Sequence, residues 1–313
     1  SRIVSDGYID RATSNLKSFY VDAGYYGKKH QLKATIFSGK EKTYQAWDGV
    51  PEDKLESDRT YNVFTYLNQT DNYTQTHHHL HYNYFATDNT TFNLALHYTK
   101  GAGYYEEYKA KEKFAKYGFA DINIKDSIIN TTDLIRRRWL DNKFYGFVFS
   151  LNHKFNSNQM LTIGGAANQY KGDHFGEVIW AQYASNSALG DKYYSNDAIK
   201  NDANIYGKWN GSFGKLYTYL DLQYRFVDYT FEGFDHNKQL TDVNVKHHFF
   251  NPKAGLTYSL STASSIYTSY AFASKEPVRN DYVESAANAR PTAERMHNIE
   301  AGYRIRKENL NIG

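Results

Sequence analysis

The sequence has no cysteine, only 4 prolines among 313 residues, and no run of about eighteen apolar residues. The absence of cysteine excludes a disulfide scaffold and a thiolate metal site. The absence of a long apolar run excludes a membrane-spanning helix. The formal net charge is only +3, so no strong basic field points to nucleic acid.

Aromatic residues are abundant instead. The chain has 30 Tyr, 19 Phe and 4 Trp, which make up 17% of its residues, yet its mean hydropathy is -0.73. A water-soluble globule seldom combines so much aromatic surface with so little aliphatic mass. A sheet with aromatic belts at the membrane interfaces and a polar second face needs this mixture. The composition therefore favours a membrane-embedded sheet.

Segments of about a dozen residues alternate between apolar and polar side chains, as strands with one apolar face do. They cover residues 14–26, 31–42, 74–86, 91–100, 142–155, 159–170, 202–213, 216–228, 245–258, 265–273 and 295–306. In FYGFVFSLNHKF, Phe147 and Phe149 share a face, and in TFNLALHY Leu94 and Leu96 do the same. Because tilted strands of about nine to eleven residues span a bilayer core, we expect these faces to meet lipid.

The connections alternate between tight turns and long loops. The tight turns are YGKKH, ATDNT, FNSNQ, FGK, SLSTASS and RKEN, and the long loops cover about residues 43–73, 101–141, 171–201, 229–244 and 274–294. In an up-and-down sheet, the short turns then lie at one end and the long loops at the other, as in outer-membrane barrels. The sequence therefore predicts an all-β fold, a transmembrane antiparallel up-and-down β-barrel. A soluble all-β protein is the alternative.

Two stretches near the end of the sequence carry a fairly specific resemblance to a known family. YTSYAFASKEPVRNDY holds Glu276, Pro277 and Arg279, and RPTAERMHNIEAGYR follows it. The second stretch has a Pro-x-x-Glu-Arg lead into a Glu-x-Gly-Tyr strand, made by Pro291, Glu294, Arg295, Glu300, Gly302 and Tyr303. Here, and in stretches such as SDGYIDRATSNLKSFYVDAGYYGKK, DLIRRRWLDNKFYG and FFNPKAGLTYSL, the chain resembles the barrel of TonB-dependent outer-membrane receptors.

The resemblance implies a 22-stranded barrel, of which residues 1–313 would form about eleven to twelve strands, a partial barrel domain without the family's N-terminal plug and last strands. It implies a bacterial outer-membrane receptor that imports a scarce nutrient such as a ferric siderophore, haem or cobalamin. The expected partners are that small molecule or metal chelate, TonB acting through the plug, and outer-membrane lipid with lipopolysaccharide. We expect no nucleic acid and no cofactor. A passive porin, or a surface adhesin or scaffold barrel, is the alternative function.

Four histidines crowd the stretch THHHLHYNY. Alternation along a strand places His77, His79 and His81 on one face and His78 on the other. Imidazole is a common ligand for zinc, copper, nickel and iron. Three side chains at every second position of a strand nevertheless span about 13 Å, which makes closure on one ion difficult. We therefore expect polar residues of the barrel lumen and no metal site, with contact to a substrate as the alternative.

Three consecutive arginines, Arg136, Arg137 and Arg138, precede a strand on the long-loop side. They can clasp an anionic ligand in bidentate fashion or bind lipopolysaccharide phosphates at the membrane surface. The third alternative is a solvated loop end in which they pair with Asp133 and Asp141.

Aromatic residues of the long loops are further candidates. Tyr104 and Tyr105 either belong to an aromatic girdle or stack on a planar ligand. In GDHFGEVIWAQYA, an aromatic and titratable set either binds ligand or packs against a neighbouring loop. Apical loops meet a ligand first, and aromatic and arginine side chains give contact area and charge with little loss of rotamer freedom. The predicted ligand contacts are Trp47, Tyr104, Tyr105, Arg136, Arg137, Arg138, His174, Trp180 and Tyr183.

Catalytic motifs are missing from the sequence. It has no G-x-S-x-G elbow and no H-E-x-x-H pair. No helix follows the GAG tripeptide, as a phosphate-binding loop would require. The sequence therefore predicts that the chain is not an enzyme.

Overall fold

A computed structural model describes residues 1–235, 238, 240–286, 288–307 and 310–312. The strands found in these residues are β1 (Arg2–Ser5), β2 (Ser14–Tyr26), β3 (His30–Tyr44), β4 (Thr70–Thr87), β5 (Thr90–Lys113), β6 (Ile122–Ile124), β7 (Ser127–Ile129), β8 (Thr131–Asn156), β9 (Gln159–Ala181), β10 (Lys192–Phe213), β11 (Leu216–Phe234), β12 (Leu240–Ser259), β13 (Ser264–Lys275), β14 (Glu294–Lys307) and β15 (Leu310–Ile312). β6 and β7 form a separate hairpin, and the other thirteen form one sheet.

The sheet has the up-and-down order of a barrel wall. Its strands pair in chain order, and every neighbouring pair is antiparallel. β1 and β15 end the order without pairing to each other among the described residues, so the sheet is an open section of a barrel. Eleven strands, β2 to β5 and β8 to β14, are 12 to 26 residues long. This confirms the predicted partial, all-β transmembrane architecture.

The connections sort by length as predicted. Short turns join β2 to β3, β4 to β5, β8 to β9, β10 to β11 and β12 to β13. The longer connections lie at the other end, which we call the loop side. Of the turn expected at residues 306–309, Glu308 and Asn309 lie outside the described residues.

Several strands extend much farther towards the loop side than the sequence predicts. The loop expected at residues 101–141 is mostly strand, because β5 continues to Lys113 and β8 begins at Thr131. Likewise the loop expected at residues 171–201 is shortened by β9 and β10. The prediction was wrong because apolar alternation ends at the membrane, whereas polar and charged cross-strand pairs continue the ladder into water.

Cross-strand register gives the sheet two chemically distinct faces. Leu96 pairs with Leu80 on one side and Phe147 on the other, and Leu94 pairs with Phe149, which places all of them on one apolar face. The opposite, polar face holds Asn93, whose amide donates to Ser150 Oγ at 3.0 Å. The apolar face thus has the chemistry of a lipid-facing surface, and the polar face that of a barrel lumen.

A small apolar core lies at the loop side, where the helix α1 (Phe114–Tyr117) folds back onto the ends of the strands. Its buried members are Phe114, Tyr117, Phe119, Leu134, Val178 and Tyr193. A second helix, α2 (Arg279–Glu284), places Tyr282 in another small cluster with Phe231 and Val243. Among the described residues, no helix is long and apolar enough to cross a membrane. These two cores fix the loops over the polar face of the sheet.

Candidate functional site

A cleft of about 430 Å³ opens at the loop side of the sheet. We call it the loop-side cleft. It is lined by Glu41, Asp71, Tyr73, Gly103, Tyr104, Tyr105, Arg138, Trp139, Leu140, His174 and Tyr194. His174 lies fifteen residues beyond the short turn that ends at Gln159, which at about 3.3 Å per residue and a 45° tilt places the cleft outside a hydrocarbon band about 25 Å tall.

Arg138 is the cation of the loop-side cleft. Its Nη1 donates to Tyr105 Oη at 2.8 Å and its Nε to Tyr193 Oη at 3.3 Å, and its guanidinium lies 5.8 Å from the centre of the Tyr105 ring. Among the described residues it has no carboxylate within ion-pair distance. A half-buried guanidinium that is held by neutral phenols keeps its charge available to an anion.

His174 and Arg279 lie next to each other in this region. His174 Nδ1 is 3.5 Å from Arg279 Nη1, and Arg279 also donates to Asn196 and lies 5.1 Å from the Phe231 ring centre. Burial, followed by the positive charge of Arg279, lowers the pKa of His174 to about 4. The imidazole is therefore neutral near pH 7 and serves the cleft as a hydrogen-bonding group and not as a charge.

Two carboxylates, Glu41 and Asp71, also line the loop-side cleft. Burial raises the pKa of Asp71 above its ordinary value. An ionised Asp71 is therefore disfavoured whenever the cleft becomes drier, as it does when a ligand displaces water.

Arg136 has a structural role, and this corrects the idea of a three-arginine clasp. Only 4% of its surface is exposed. Its Nε and Nη2 both donate to Glu107 Oε2, at 2.8 and 2.7 Å, and its Nη1 donates to Tyr117 Oη at 2.8 Å. All of its donors face partners inside the protein, so Arg136 joins helix α1 to the strands.

Arg137 points to the opposite face of the sheet, because alternate residues of β8 face opposite sides. Its Nε donates to Glu106 Oε2 at 2.8 Å, and its guanidinium lies 4.4 Å from the Tyr104 ring centre. Glu106 also accepts from Tyr66 Oη at 2.7 Å and Asn68 Nδ2 at 2.6 Å. Asp133 and Asp141, the acidic partners expected for the arginines, instead accept from Tyr108 and Lys100.

The predicted aromatic contacts divide into two groups. Tyr105 lines the loop-side cleft, and Trp47 lies at its edge, with its ring centre 5.6 Å from that of Tyr105 in an edge-on contact. Tyr104 borders the cleft, but its ring packs against Arg137 and Trp139 on the opposite face of the sheet. Trp180 and Tyr183 are 43% and 39% exposed near the end of β9 and do not line the cleft. The structure therefore brings together Trp47, Tyr105, Arg138 and His174 of the nine candidates.

The histidine row lies on the polar face, as predicted. The ring centres of His77 and His79, and of His79 and His81, are 6.0 Å apart in edge-on contacts. His77 hydrogen-bonds Gln75 Nε2 and Thr99 Oγ1, each at 3.0 Å. Among the described residues, no group of three or more His, Asp or Glu has an arrangement that could hold a metal ion.

Sequence reasoning missed several residues of the cleft region, among them Tyr73, Asp71, Tyr194 and Arg279. The first two belong to the strand that carries the histidine row, and the same two-residue alternation places them on the polar face. The sequence marks Arg279 only as part of a family motif. Its approach to His174 joins residues 105 positions apart in the chain, for which the sequence carries no local signal.

A family model described as "TonB dependent receptor-like, beta-barrel" matches residues 19–313. No curated protein sequence matches. Similar solved structures include the ferric-catecholate import receptor Fiu of E. coli K12, which is 12% identical with a TM-score of 0.64. The match covers 96% of this chain and 50% of the Fiu chain.

Two further structures show the same fold at low identity. The siderophore receptor PiuA of Acinetobacter baumannii is 14% identical with a TM-score of 0.65, and 94% of this chain covers 48% of that one. The copper transporter OprC is 10% identical with a TM-score of 0.68, and 99% of this chain covers 46% of that one. The chain thus spans about half the length of the structures that it matches.

Proposed function

The chain belongs to the TonB-dependent receptor-like β-barrel family, and from that premise we propose that the whole protein imports a metal chelate, such as a ferric siderophore, through its loop-side cleft. The barrel is an outer-membrane structure, and proteins of the family are transport receptors and not enzymes. TonB would power the import by acting through a plug domain, as in other receptors of the family. Haem and cobalamin remain ligands to be tested alongside ferric chelates.

One observation carries the choice of ligand class. Arg138 and Arg279 both reach the loop side of the polar face, and among the described residues neither has a carboxylate within ion-pair distance. The two guanidiniums and the neutral His174 give hydrogen-bond donors to carboxylate or phenolate oxygens. Tyr73, Tyr105 and other aromatic rings supply flat surfaces next to them. An anionic, partly aromatic chelate matches this combination in both charge and shape.

The location of the cleft supports an uptake role. It lies beyond the hydrocarbon band on the side of the long connections, which is the extracellular side in outer-membrane barrels. A ligand that arrives from outside would therefore meet Trp47, Tyr105 and Arg138 before it reaches the lumen. The lipid that surrounds the apolar face is the second expected partner.

The test is ligand binding by the full-length receptor that carries Arg138→Gln. A ferric catecholate, ferric citrate, a copper salt, haem and cobalamin are the probes, and tryptophan fluorescence reports binding. Loss of hydrogen bonds to a charged group costs about 1.5 to 3 kcal/mol, so we expect the dissociation constant of the chelate that binds to rise about tenfold to a hundredfold.

Arg304→Gln is the matched control, because Arg304 is an arginine on the same polar face near the short-turn end. It should leave affinity unchanged. If no probe binds the unchanged receptor, or if Arg138→Gln and Arg304→Gln have equal effects, the proposed site is wrong.

A further inference from the structure

The apolar face changes abruptly from neutral to basic at the loop side. Apart from Lys307 at the turn-side end of β14, this face of the eleven long strands carries no charged side chain over about ten residues per strand, counted from the short turns outward. On six of these strands, the first charged residue that follows is a lysine. Lys246 of β12 lies opposite Asp228, and the other five lysines form a row and a pair. These residues, which we call the lysine girdle, are Lys17, Lys40, Lys100, Lys143 and Lys171.

The lysines of the girdle lie directly opposite one another. Lys100 pairs with Lys143, and Lys143 pairs with Lys171, so three neighbouring strands present a continuous row of ammonium groups. Lys17 and Lys40 form a second such pair on β2 and β3. Like charges directly opposite each other in an antiparallel pair destabilise the sheet. An anion close to the row would therefore stabilise the sheet by reducing this repulsion.

The protein itself supplies only part of that negative charge. Lys100 forms an ion pair with Asp141. Among the described residues, no ion pair involves Lys17, Lys40, Lys143 or Lys171, and all four are exposed. These four ammonium groups are free to bind a group from outside the protein.

Aspartates lie beyond the lysines and not between them and the membrane. Asp141, Asp173 and Asp197 form a row on the same face, two residues farther towards the loop side. That spacing corresponds to about 7 Å along a strand. A headgroup at the edge of the apolar band therefore meets the lysines first, and the carboxylates face the water above it.

The depth of the girdle matches the edge of a bilayer. Lys100 lies ten residues from the turn-side end of β5, and Lys171 lies twelve residues from that of β9. At about 3.3 Å per residue and a 45° tilt, these distances correspond to about 23 and 28 Å above the turns. The apolar band of an outer-membrane barrel is about 25 Å tall. The lysines thus lie at the level of the outer-leaflet headgroups.

From this geometry, we propose that the lysine girdle binds the phosphate groups of lipopolysaccharide in the outer leaflet. The Cα atoms of paired lysines on neighbouring strands are about 5 Å apart. Two or three of their ammonium groups can therefore reach one phosphorylated sugar headgroup together. The acyl chains of the same molecule then lie on the charge-free apolar face below. The site depends on the outer-membrane location of the chain and is independent of the ligand that the receptor imports.

The experiment compares the full-length receptor with a variant that carries Lys100→Gln, Lys143→Gln and Lys171→Gln. Each lysine near an anionic lipid surface strengthens binding about fivefold, so loss of three should weaken lipopolysaccharide binding about a hundredfold. The control carries Lys28→Gln, Lys29→Gln and Lys215→Gln, which remove the same charge from exposed residues of the short turns. Lipopolysaccharide retained per receptor after purification, and the thermal shift on adding purified lipid A, measure the effect.

The girdle variant should lose the retained lipopolysaccharide and the thermal shift, and the control should keep both. A companion variant with arginine at the same three positions should bind as the unchanged receptor does, and heat-modifiable gel mobility checks that each barrel is folded. Equal retention by girdle and control variants would overturn the proposal. It would also be overturned if dephosphorylated lipid A or phosphatidylglycerol vesicles gave the same thermal shift as lipid A.

Discussion

Arginine substitutions at two adjacent positions of β5 test the assignment of the two faces. Leu94 lies on the apolar face beside Phe149, and Asn93 lies on the polar face beside Ser150. Leu94 is four residues from the turn-side end of β5, so it lies about 9 Å above that turn, close to the middle of a band about 25 Å tall. Both residues therefore have similar depth and neighbours on the same strands.

The expected free-energy costs differ because only one arginine would enter hydrocarbon. On a lipid-facing surface near the midplane, arginine destabilises a barrel by about 2 to 4 kcal/mol. Asn93→Arg loses the 3.0 Å hydrogen bond to Ser150, which corresponds to about 1 kcal/mol, while the charge remains in the polar lumen. Leu94→Arg should therefore lower the free energy of unfolding by about 1 to 3 kcal/mol more than Asn93→Arg.

The assay is reversible urea unfolding of the full-length receptor in lipid vesicles, followed by tryptophan fluorescence. Phe149→Arg and Ser150→Arg repeat the comparison on β8, with the larger cost expected at Phe149. Equal costs on the two faces would refute the reasoning, because they would indicate a two-sided protein core in place of a lipid-facing surface.

Two further predictions concern the charged pairs of the loop side. Glu107→Gln should destabilise the β5–β8 region by about 3 to 5 kcal/mol, because Arg136 is left buried without its counter-charge. Limited proteolysis of the full-length receptor should reveal the loosened loops. Replacing Glu107 by leucine and Arg136 by methionine together should cost less, and an equal cost would contradict this account. Burial alone raises the pKa of Glu106, but hydrogen bonds from Asn68, Tyr66 and Arg137 outweigh it and lower the pKa. The stability from Glu106 is therefore present above the unfolded-state pKa near 4.5 and is lost as pH falls through the folded-state value, so Glu106→Gln should flatten the acid side of the stability profile; a profile identical to that of the unchanged receptor would oppose this.

The membrane-spanning part of the fold was predictable from the sequence because the physical constraint there is local. Lipid selects an apolar side chain at every second position, and Leu94, Leu96, Phe147 and Phe149 display that selection within a few residues. The cross-strand register then places them together on one surface. A pattern that repeats every two residues leaves little freedom in which side faces lipid.

The loop-side ladder was not predictable in the same way. Beyond the membrane, β5 and β8 continue because Glu107 and Arg136 form an ion pair across 29 residues of sequence. No local periodicity reports such a pair. The sequence alone therefore indicates one loop cluster of three arginines, whereas in a strand Arg137 points away from Arg136 and Arg138.

The strand register determines which residues of a strand face the lipid and which face the lumen of the barrel. A slip of one residue would move every side chain to the other face. The irregularities in the β5–β8 and β9–β10 ladders lie at the loop side, between Lys109 and Glu112 and between Lys192 and Tyr194. From Lys100 to Thr90, the β5–β8 pairing runs without interruption. This part of the pairing keeps a strict alternation of the two faces. The β4–β5 and β8–β9 ladders also shift register at their turn-side ends, between Phe85 and Thr87 and between Lys154 and Asn156. Among the described residues, the bulges that redirect side chains therefore lie near the ends of the strands and not in the middle of the apolar band.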